Sequence, residues 1–345
     1  MNLNLQALFE QMHQNLERLD TLPVTMNGGS TLLNVALALV MFGVALGIKP
    51  AAFVDIAKNP KSIITGIVCQ LVLLPALTLV LIMLCGPILT PMVALGMILV
   101  ASCPGGNVSN FITSLSKGNS ELSVSLTAFN TAACVFTTPI NFAFWGKLYL
   151  NFAEKHNVML PELQIPFWDI FQSIVIIMGI PLVLGMLCGQ FLPKVTKVLK
   201  KPLQYLSIVV FVAMVVIIFA GNFDTFKKCI LSIFFIVFIH NLLALGIGFG
   251  SATVLKLPYK DRRTLTIETG IQNSGLGLIL LMNPNIFPIT EYIIDPATGE
   301  QIANFWFHKG GMLVITAWWG VWHIISGLTL AYSWKVNGRK VVEQD

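Results

Sequence analysis

The chain has 345 residues, of which 55% are hydrophobic and only 11% are charged. A soluble domain has about 25% charged residues, so this composition excludes an ordinary soluble protein and indicates a polytopic membrane protein. The net charge of +5 comes from short, dispersed basic clusters. Because no basic stripe with interleaved aromatic residues occurs, we expect no nucleic-acid partner.

The N-terminal segment, residues 1–30, predicts an amphipathic helix that lies at the membrane surface. Its apolar side chains fall on one helical face: Leu5, Leu8, Phe9, Met12, Leu16 and Leu19. The segment is too polar to span a bilayer.

Apolar runs of about 20 residues then follow one another and predict an all-α polytopic membrane protein with about nine transmembrane helices. The runs lie near 31–50, 62–85, 91–116, 121–144, 167–191, 203–221, 229–255, 263–283 and 311–333. We assign residues 31–335 to one transmembrane domain, with a first half at 31–150 and a second half at 167–335. Residues 336–345 form a tail.

Most of the 21 lysine and arginine residues fall in alternate connections and in the tail. These clusters lie near 49–61, at 117, at 194–201, at 256–263 and at 335–340. Because positively charged loops stay on the cytoplasmic side, we expect a multi-pass protein of the inner (plasma) membrane. Its N-terminus would lie outside and its C-terminus in the cytoplasm.

The third and eighth runs are each interrupted near their middle by polar residues and glycine. The interruptions are PGGNVSN at 104–110 and ETGIQNSG at 268–275. Lipid cannot satisfy the backbone groups that such breaks expose, so the breaks must be buried in protein or line a wet cavity. The assigned orientation makes the two helices run in opposite directions. This pattern is typical of an inverted-repeat transporter whose site lies at the breaks.

Glu268 is the one acidic residue deep in a predicted span. An unpaired carboxylate at the bilayer centre costs about 2.5 kcal/mol or more, and no Lys or Arg falls at similar depth, so a cation or a proton should accompany it. Na⁺ favours several oxygen ligands, and the sequence offers Ser109, Asn110, Ser123, Thr127, Gln70, Gln272 and the carbonyls around Glu268. We favour Na⁺, with a proton as the alternative.

A half-helix begins after each break, near Gly105–Asn107 and near Asn273–Gly275. Unpaired N–H groups and the positive end of the helix dipole attract anions at such positions. Two of these starts converging on one cavity predict a bound carboxylate or sulfonate, which the cation gradient would draw in.

Two rival classes use the same residues. An intramembrane hydrolase would pair Ser109 or Ser274 with His323 or His240, but no third group is evident to orient the histidine. A non-transporting sensor would keep the fold and bind the anion. Among transporters, a proton-coupled relative of the same fold is the alternative to Na⁺ coupling.

The motifs CPGGNVSN at 103–110, S-x-x-x-T at 123–127 and ETGIQNSG at 268–275 resemble those of the bile acid:sodium symporter family. The resemblance runs over residues 31–335. It implies a core domain that holds two crossing discontinuous helices, and a panel domain that moves against the core. It also implies a symporter and not an enzyme, which imports a bile acid or a small carboxylate such as pantoate or pyruvate by alternating access. No catalytic residue, organic cofactor, transition metal or obligatory protein partner is expected.

The resemblance further implies ligand sets for two Na⁺ ions. The first set is Ser109, Asn110, Ser123, Thr127 and Glu268. The second set is Gln70, Glu268, Gln272 and the backbone oxygens of Thr269 and Ile271. Substrate contacts are expected from the half-helix starts and from one cavity histidine: Gly106, Asn107, Asn273, Ser274 and His323.

Overall fold

The computed structural model describes residues 5–20, 30–48, 60–86, 88–155, 171–172, 174–221, 223–283, 286–287, 292–294, 301–303 and 309–337. This part of the chain is almost entirely helical, which confirms the predicted all-α class. Most of the predicted tail at 336–345 and of the connection at 284–309 lies outside the described residues.

The helices of the first half are α1 (Leu5–Asp20), α2 (Ser30–Ala45), α3 (Pro60–Val68), α4 (Leu74–Leu84), α5 (Pro91–Ser102), α6 (Val108–Leu115) and α7 (Ser120–Lys155). Those of the second half are α8 (Ile180–Phe191), α9 (Pro193–Gly221), α10 (Phe223–Val254), α11 (Tyr259–Gly270), α12 (Ser274–Met282) and α13 (Gly310–Asn337). Between α12 and α13, the strands β1 (Tyr292–Ile294) and β2 (Gln301–Ala303) pair antiparallel, with Ile293 opposite Ile302. The sequence did not predict this hairpin.

Four of the described helical segments are long and apolar enough to cross a membrane. They are Pro60–Leu84, which combines α3 and α4, and Pro193–Ala220, Phe223–Val254 and Gly310–Val336. The helices α5 and α8 are apolar but shorter. The protein is therefore a multi-pass membrane protein, while the count of nine spans and the inverted repeat stay predictions.

Two helices extend beyond the predicted apolar runs. The fourth run, predicted at 121–144, continues as α7 to Lys155 and contains Pro139. The sixth run, predicted at 203–221, begins earlier as α9 at Pro193. Hydropathy delimits only the apolar part of a helix, whereas Lys, Glu and Leu favour helix in water as well.

Two π-helical turns interrupt apolar helices just before a proline. One spans Cys69–Leu73 and precedes Pro75, and the other spans Val175–Gly179 and precedes Pro181. Proline has no N–H to donate and clashes with the preceding turn, which accounts for the locally widened helix. The first turn buries the side chain of Gln70, which is 2% exposed.

Glycines bring the central helices into backbone contact. A methyl group on Gly96 of α5 would lie 2.8 Å from the Cα atom of Met312 in α13. A methyl group on Gly248 of α10 would lie 2.7 Å from the carbonyl carbon of Leu265 in α11. Since α5 is buried along nearly its whole length, these four helices form the closely packed centre of the molecule.

The helices α2, α8 and α9 pack against one another as a second group. A methyl group on Gly43 of α2 would lie 2.7 Å from the Cβ atom of Leu203 in α9. A methyl group on Gly185 of α8 would lie 2.7 Å from the Cβ atom of Ala45 in α2. We call α2, α8 and α9 the panel group, and the assignment of this group to a separate moving domain stays a prediction.

The C-terminal half of α1 packs on protein, near the first turns of α5, α10 and α13. Leu16 and Leu19 are fully buried, whereas Phe9 in the first half of the helix is 38% exposed. The thiol of Cys229 donates to the backbone oxygen of Asn15 at 2.8 Å. The helix therefore joins the ends of three others, and its placement at the membrane surface stays a prediction.

Asp20, the last residue of α1, is buried between the first turns of α5 and α13. Its carboxylate accepts a hydrogen bond from the backbone N–H of Met92 at 3.0 Å and lies against Gly311. Burial raises the pKa of Asp20 from 3.8 to about 7. The folded protein therefore favours the protonated carboxyl in the window between these two values.

We expect Asp20 to make the protein less stable as the pH rises from about 4 to about 7, because the folded state binds a proton that the unfolded state releases in this window. Asp20→Asn should remove this part of the pH dependence and raise the unfolding temperature at about pH 8. Thermal unfolding in detergent across the window measures both effects. Glu10→Gln, on the exposed part of α1, is the control, and an unchanged pH profile for Asp20→Asn would contradict the expectation.

Candidate ion and anion site

The break between α5 and α6 lies against the break between α11 and α12. Gly106 donates its N–H to the carbonyl oxygen of Ile271 at 2.9 Å, and Asn273 donates to the carbonyl oxygen of Pro104 at 2.8 Å. The two segments form an isolated antiparallel bridge. The two discontinuous helices therefore cross at their breaks, as the family resemblance implies, and each satisfies backbone groups of the other.

The crossing leaves little room for side chains on the first break. A methyl group on Gly106 would lie 3.0 Å from the carbonyl oxygen of Gln272, and one on Gly105 would lie 3.3 Å from a carboxylate oxygen of Glu268. Both distances are shorter than ordinary van der Waals contacts. Glycine at these two positions lets the backbones approach each other and the carboxylate.

The carboxylate of Glu268, at the last turn of α11, is 3% exposed and receives three hydroxyl groups. Its Oε1 atom accepts from Ser109 at 2.6 Å and from Ser123, and its Oε2 atom accepts from Thr127 at 3.0 Å. The Ser123 hydroxyl also lies 2.8 Å from the side-chain oxygen of Asn110. The structure thus brings together all five residues predicted as the first ligand set.

Helix periodicity explains how these residues meet. Ser123 and Thr127 are four residues apart on α7 and share one face. Ser109 and Asn110 stand in the first turn of α6, directly after the first break. The crossing then brings the C-terminal end of α11 between α6 and α7.

Two amide side chains, those of Gln70 and Gln272, are paired near the crossing of the two broken helices. Gln70 and Gln272 donate to each other's side-chain oxygens at 2.7 Å and 3.1 Å. Gln70 also donates to the carbonyl oxygen of Cys103 at 2.9 Å, and Gln272 to that of Thr269 at 2.7 Å. Of the predicted second ligand set, Gln70, Gln272 and the backbone oxygen of Thr269 are therefore in contact, and the carbonyl of Ile271 lies in the bridge between the breaks. The carboxylate of Glu268 contacts the hydroxyls of the first set.

The predicted anion contacts lie at the starts of the two half-helices. Asn273 caps α12, because its side-chain oxygen accepts from the N–H of Leu276 at 3.1 Å. This leaves the NH₂ group of Asn273 to donate to a ligand. Asn107 precedes α6 without a side-chain capping bond and is exposed, whereas Ser274 is 2% exposed.

The predicted histidine, His323, lies on the helix that contacts the start of α12. It is 5% exposed and follows Gly320 by one turn of α13. A methyl group on Gly320 would lie 2.9 Å from the hydroxyl oxygen of Ser274. Within the described part of the chain, the Nδ1 atom of His323 has no hydrogen-bond partner.

Of the four residues considered for a hydrolase, His240 and Ser109 have other partners. His240 is 2.7 Å from the hydroxyl of Thr78 through its Nε2 atom, and Ser109 donates to Glu268. His240 also contacts the ring of Trp319, with 4.5 Å between ring centroids. This geometry favours a packing role for His240.

Asn241 is a residue at the second break that sequence reasoning missed. Its side chain is fully buried and donates to the carbonyl oxygen of Gly270 at 2.8 Å, while it accepts from Ser326 at 2.5 Å. It therefore satisfies a carbonyl that the break leaves open. The available signal was an asparagine beside a histidine in the apolar stretch FIHNLL.

A polar network that the sequence did not predict holds the other end of α11. The carboxylate of Asp261 accepts from the hydroxyl of Ser62 at 2.6 Å and from the amide of Asn119 at 2.8 Å. Arg263 donates to the backbone oxygen of Ser116 at 2.6 Å. Since the chain joins α6 to α7 through 116–119, this network fixes α11 against both helices that meet Glu268.

The model of the Sodium Bile acid symporter family matches residues 34–229 of this chain. The matched segment contains the first break and the hydroxyl pair of α7. It ends before the second break, so the placement of Glu268 and Asn273 rests on the geometry described above.

Three similar proteins carry names that mention sodium. The uncharacterized sodium-dependent transporter YocS of Bacillus subtilis (strain 168) is 29% identical over 289 residues, which cover 84% of this chain and 83% of that protein. The ileal sodium/bile acid cotransporter of Cricetulus griseus is 26% identical over 249 residues, 72% of this chain and 68% of that protein. The probable sodium/metabolite cotransporter BASS1, chloroplastic, of Arabidopsis thaliana is 25% identical over 318 residues, 90% of this chain and 68% of that protein.

Proposed function

Because this chain belongs to the sodium bile acid symporter family, a family of sodium-dependent transporters, we propose that it imports an organic anion together with Na⁺ by alternating access. The observation that carries the proposal is the buried carboxylate of Glu268, which receives hydroxyl groups from α6 and α7 where two helix breaks cross. Bile acids and small carboxylates such as pantoate and pyruvate are the candidate anions.

Coupling to Na⁺ is supported by the oxygen atoms around Glu268. Each hydroxyl that donates to the carboxylate has lone pairs that suit a hard cation once the hydroxyl turns. One ion would lie between Glu268 and the hydroxyls of Ser109, Ser123 and Thr127. A second would lie toward Gln70 and Gln272, so that Glu268 serves both ions.

Binding of the anion is supported by the starts of α6 and α12. The asparagine at each start adds an NH₂ donor to the unpaired backbone N–H groups of the half-helix. The Na⁺ ions beside these starts would offset the negative charge of the ligand. The two substrates would then stabilise each other within one site, which is the physical basis of coupled transport.

Alternating access would use two groups of helices: the panel group, and the crossed broken helices with the helices packed around them. The panel group packs through its own glycine contacts, and α9 exposes most of its surface. We propose that the panel group moves against the crossed helices and opens the site to one side at a time. The outside position of the N-terminus, and the inverted relation of the two halves, belong to the same proposal.

Proton coupling is the alternative within the same fold. A proton would need only Glu268, whereas three hydroxyl side chains converge on this carboxylate and the side-chain oxygen of Asn110 lies beside two of them, which favours Na⁺. A sensor that binds without transport would keep the same contacts, so only flux separates it from a symporter.

A thermal-shift screen in detergent tests the binding part of the proposal. Taurocholate, pyruvate, pantoate and pantothenate are the probes, each in NaCl and in KCl. We expect at least one anion to raise the unfolding temperature more in Na⁺ than in K⁺, because the ions share one site. Equal shifts in the two salts for every anion that binds would contradict Na⁺ coupling.

We expect Ser123→Ala to raise the Na⁺ concentration for half-maximal uptake by about tenfold, the effect of losing about 1.4 kcal/mol from one ligand. Ser125→Ala is the matched control. Ser125 is equally buried on α7 but lies two residues further along and so on another face. Uptake into proteoliposomes at varied Na⁺ measures the change, and equal Na⁺ dependence of the two variants would place the cation elsewhere.

A further inference from the structure

One aromatic side chain of the panel group reaches the start of α12. The ring of Phe211, on α9, lies beside Gly320 of α13, where a methyl group would come within 2.5 Å of the Cζ atom and 2.8 Å of the Cε2 atom of the ring. The same methyl group would lie 2.9 Å from the hydroxyl of Ser274. Phe211 and Ser274 are therefore neighbours across a gap that only a glycine leaves open.

The ring of Phe211 also lies next to the asparagine that caps α12. A methyl group on Gly275 would contact the Cδ2 atom of Phe211 at 3.5 Å and the side-chain oxygen of Asn273 at 3.6 Å. Gly275 and Gly320 thus both lie against one ring. The ring adjoins the N-terminal end of α12, where the proposed anion would bind.

Phe211 belongs to the narrow face by which α9 contacts the rest of the protein. Met214 and Ile218 follow at helical spacing and are 3% and 7% exposed. The neighbouring Val209 and Val212 are 62% and 51% exposed. A movement of α9 away from α12 and α13 would therefore withdraw the ring of Phe211 together with this face.

We propose that Phe211 is the specificity-determining gate of the anion subsite: its ring fills the space beside Asn273 and Ser274 in this conformation and leaves when an anion binds. This inference rests on the proposed function for the identity of the ligand. The ring contacts themselves follow from the packing of α9 against α12 and α13. The size of the side chain at 211 would then limit the size of the anion that fits beside α12.

Thiol labelling at position 274 tests the gate without Na⁺ and without an anion. Ser274→Cys is treated with a maleimide, and mass spectrometry of peptides counts the label at 274 separately from the native cysteines. We expect Phe211→Ala to raise the labelling rate by about tenfold and Phe211→Trp to leave it at or below that of the parent. Tyr205→Ala, which removes an aromatic ring that is 68% exposed on the same helix, should leave the rate unchanged.

A double-mutant cycle tests the direct contact. Gly320→Ala places a methyl group against both the ring and position 274, so its effect on labelling should differ clearly between the parent and the protein in which Phe211 is already alanine. Phe211→Leu replaces Phe211→Ala if the smaller side chain prevents folding. Unchanged labelling in Phe211→Ala and in Phe211→Leu would overturn the proposal, and so would additive effects of Gly320→Ala and Phe211→Ala. A protein that labels as expected but transports nothing would refute the proposed function and leave the gate intact.

Discussion

Glu268→Gln should reduce Na⁺-dependent uptake by about 100-fold or more, because a charged ligand with several hydrogen bonds contributes about 3 kcal/mol. The amide keeps the shape of the carboxylate: its oxygen can accept from Ser109 and its NH₂ group can donate to the hydroxyl oxygen of Thr127, so both hydroxyls retain a partner. What disappears is the negative charge that both proposed Na⁺ ions share. Uptake into proteoliposomes under an inward Na⁺ gradient measures the loss.

Glu121→Gln is the matched control for this charge. Glu121 is an exposed carboxylate in the first turn of α7, and its replacement should leave uptake unchanged. Thermal unfolding without Na⁺ should show that Glu268→Gln is at least as stable as the natural protein, since a buried charge has been removed. Normal Na⁺-driven uptake by Glu268→Gln would remove the basis of the mechanism.

Gly248→Val should destabilise the protein by about 3 kcal/mol or more and abolish uptake, because overpacking of a backbone contact forces whole helices apart. Gly248 faces the backbone of Leu265 and Thr266, one turn before Glu268. A branched side chain there would push α11 away from α10 and shift the carboxylate relative to α6 and α7. Thermal unfolding and uptake of the same preparation measure the two effects.

Gly250→Val provides a control on the same helix. A methyl group on Gly250 would meet nothing within 4 Å among the described residues, so valine should fit there with little change in stability. Both variants place a β-branched residue in the interior of α10, so their helix propensities cost the same. Equal loss of stability in the two variants would show that propensity, and not the contact with α11, is responsible.

The breaks and their carboxylate could be predicted because bilayer physics makes them conspicuous. A proline and two glycines at 104–106 and an acid at 268 are costly in hydrocarbon unless the fold uses them. The hydroxyls of Ser123 and Thr127 follow from helix periodicity. Local sequence therefore reveals a site when its residues are anomalous for their surroundings.

Contacts between distant segments could not be predicted in the same way. Phe211 is an ordinary aromatic residue in an apolar helix, and its contact with Gly320 depends on how α9 packs against α13. In the sequence, Asp261 is one more charged residue in a helix next to a loop. Only the fold brings Ser62 and Asn119 to its carboxylate. The docking of α1 likewise depends on where three other helices begin, which no local pattern encodes.

The geometry of the second span could be predicted only in part. Pro75 signals a disturbed helix, but not whether the helix kinks, ends or widens. The π-helical turn at Cys69–Leu73 buries Gln70 beside Gln272. The family resemblance implied a role for Gln70. It did not indicate the π-helical turn in which Gln70 lies.

Uphill accumulation of a labelled anion in proteoliposomes separates Na⁺ symport from proton coupling and from binding without transport. Taurocholate, pyruvate, pantoate and pantothenate are offered at equal concentration inside and outside, under an inward gradient of Na⁺, of K⁺ or of protons. We expect at least one anion to accumulate above its outside concentration only with the Na⁺ gradient, and this accumulation to disappear in Glu268→Gln. Accumulation driven by protons and not by Na⁺, or Na⁺-driven accumulation that persists in Glu268→Gln, would rule out Na⁺ coupling through this carboxylate.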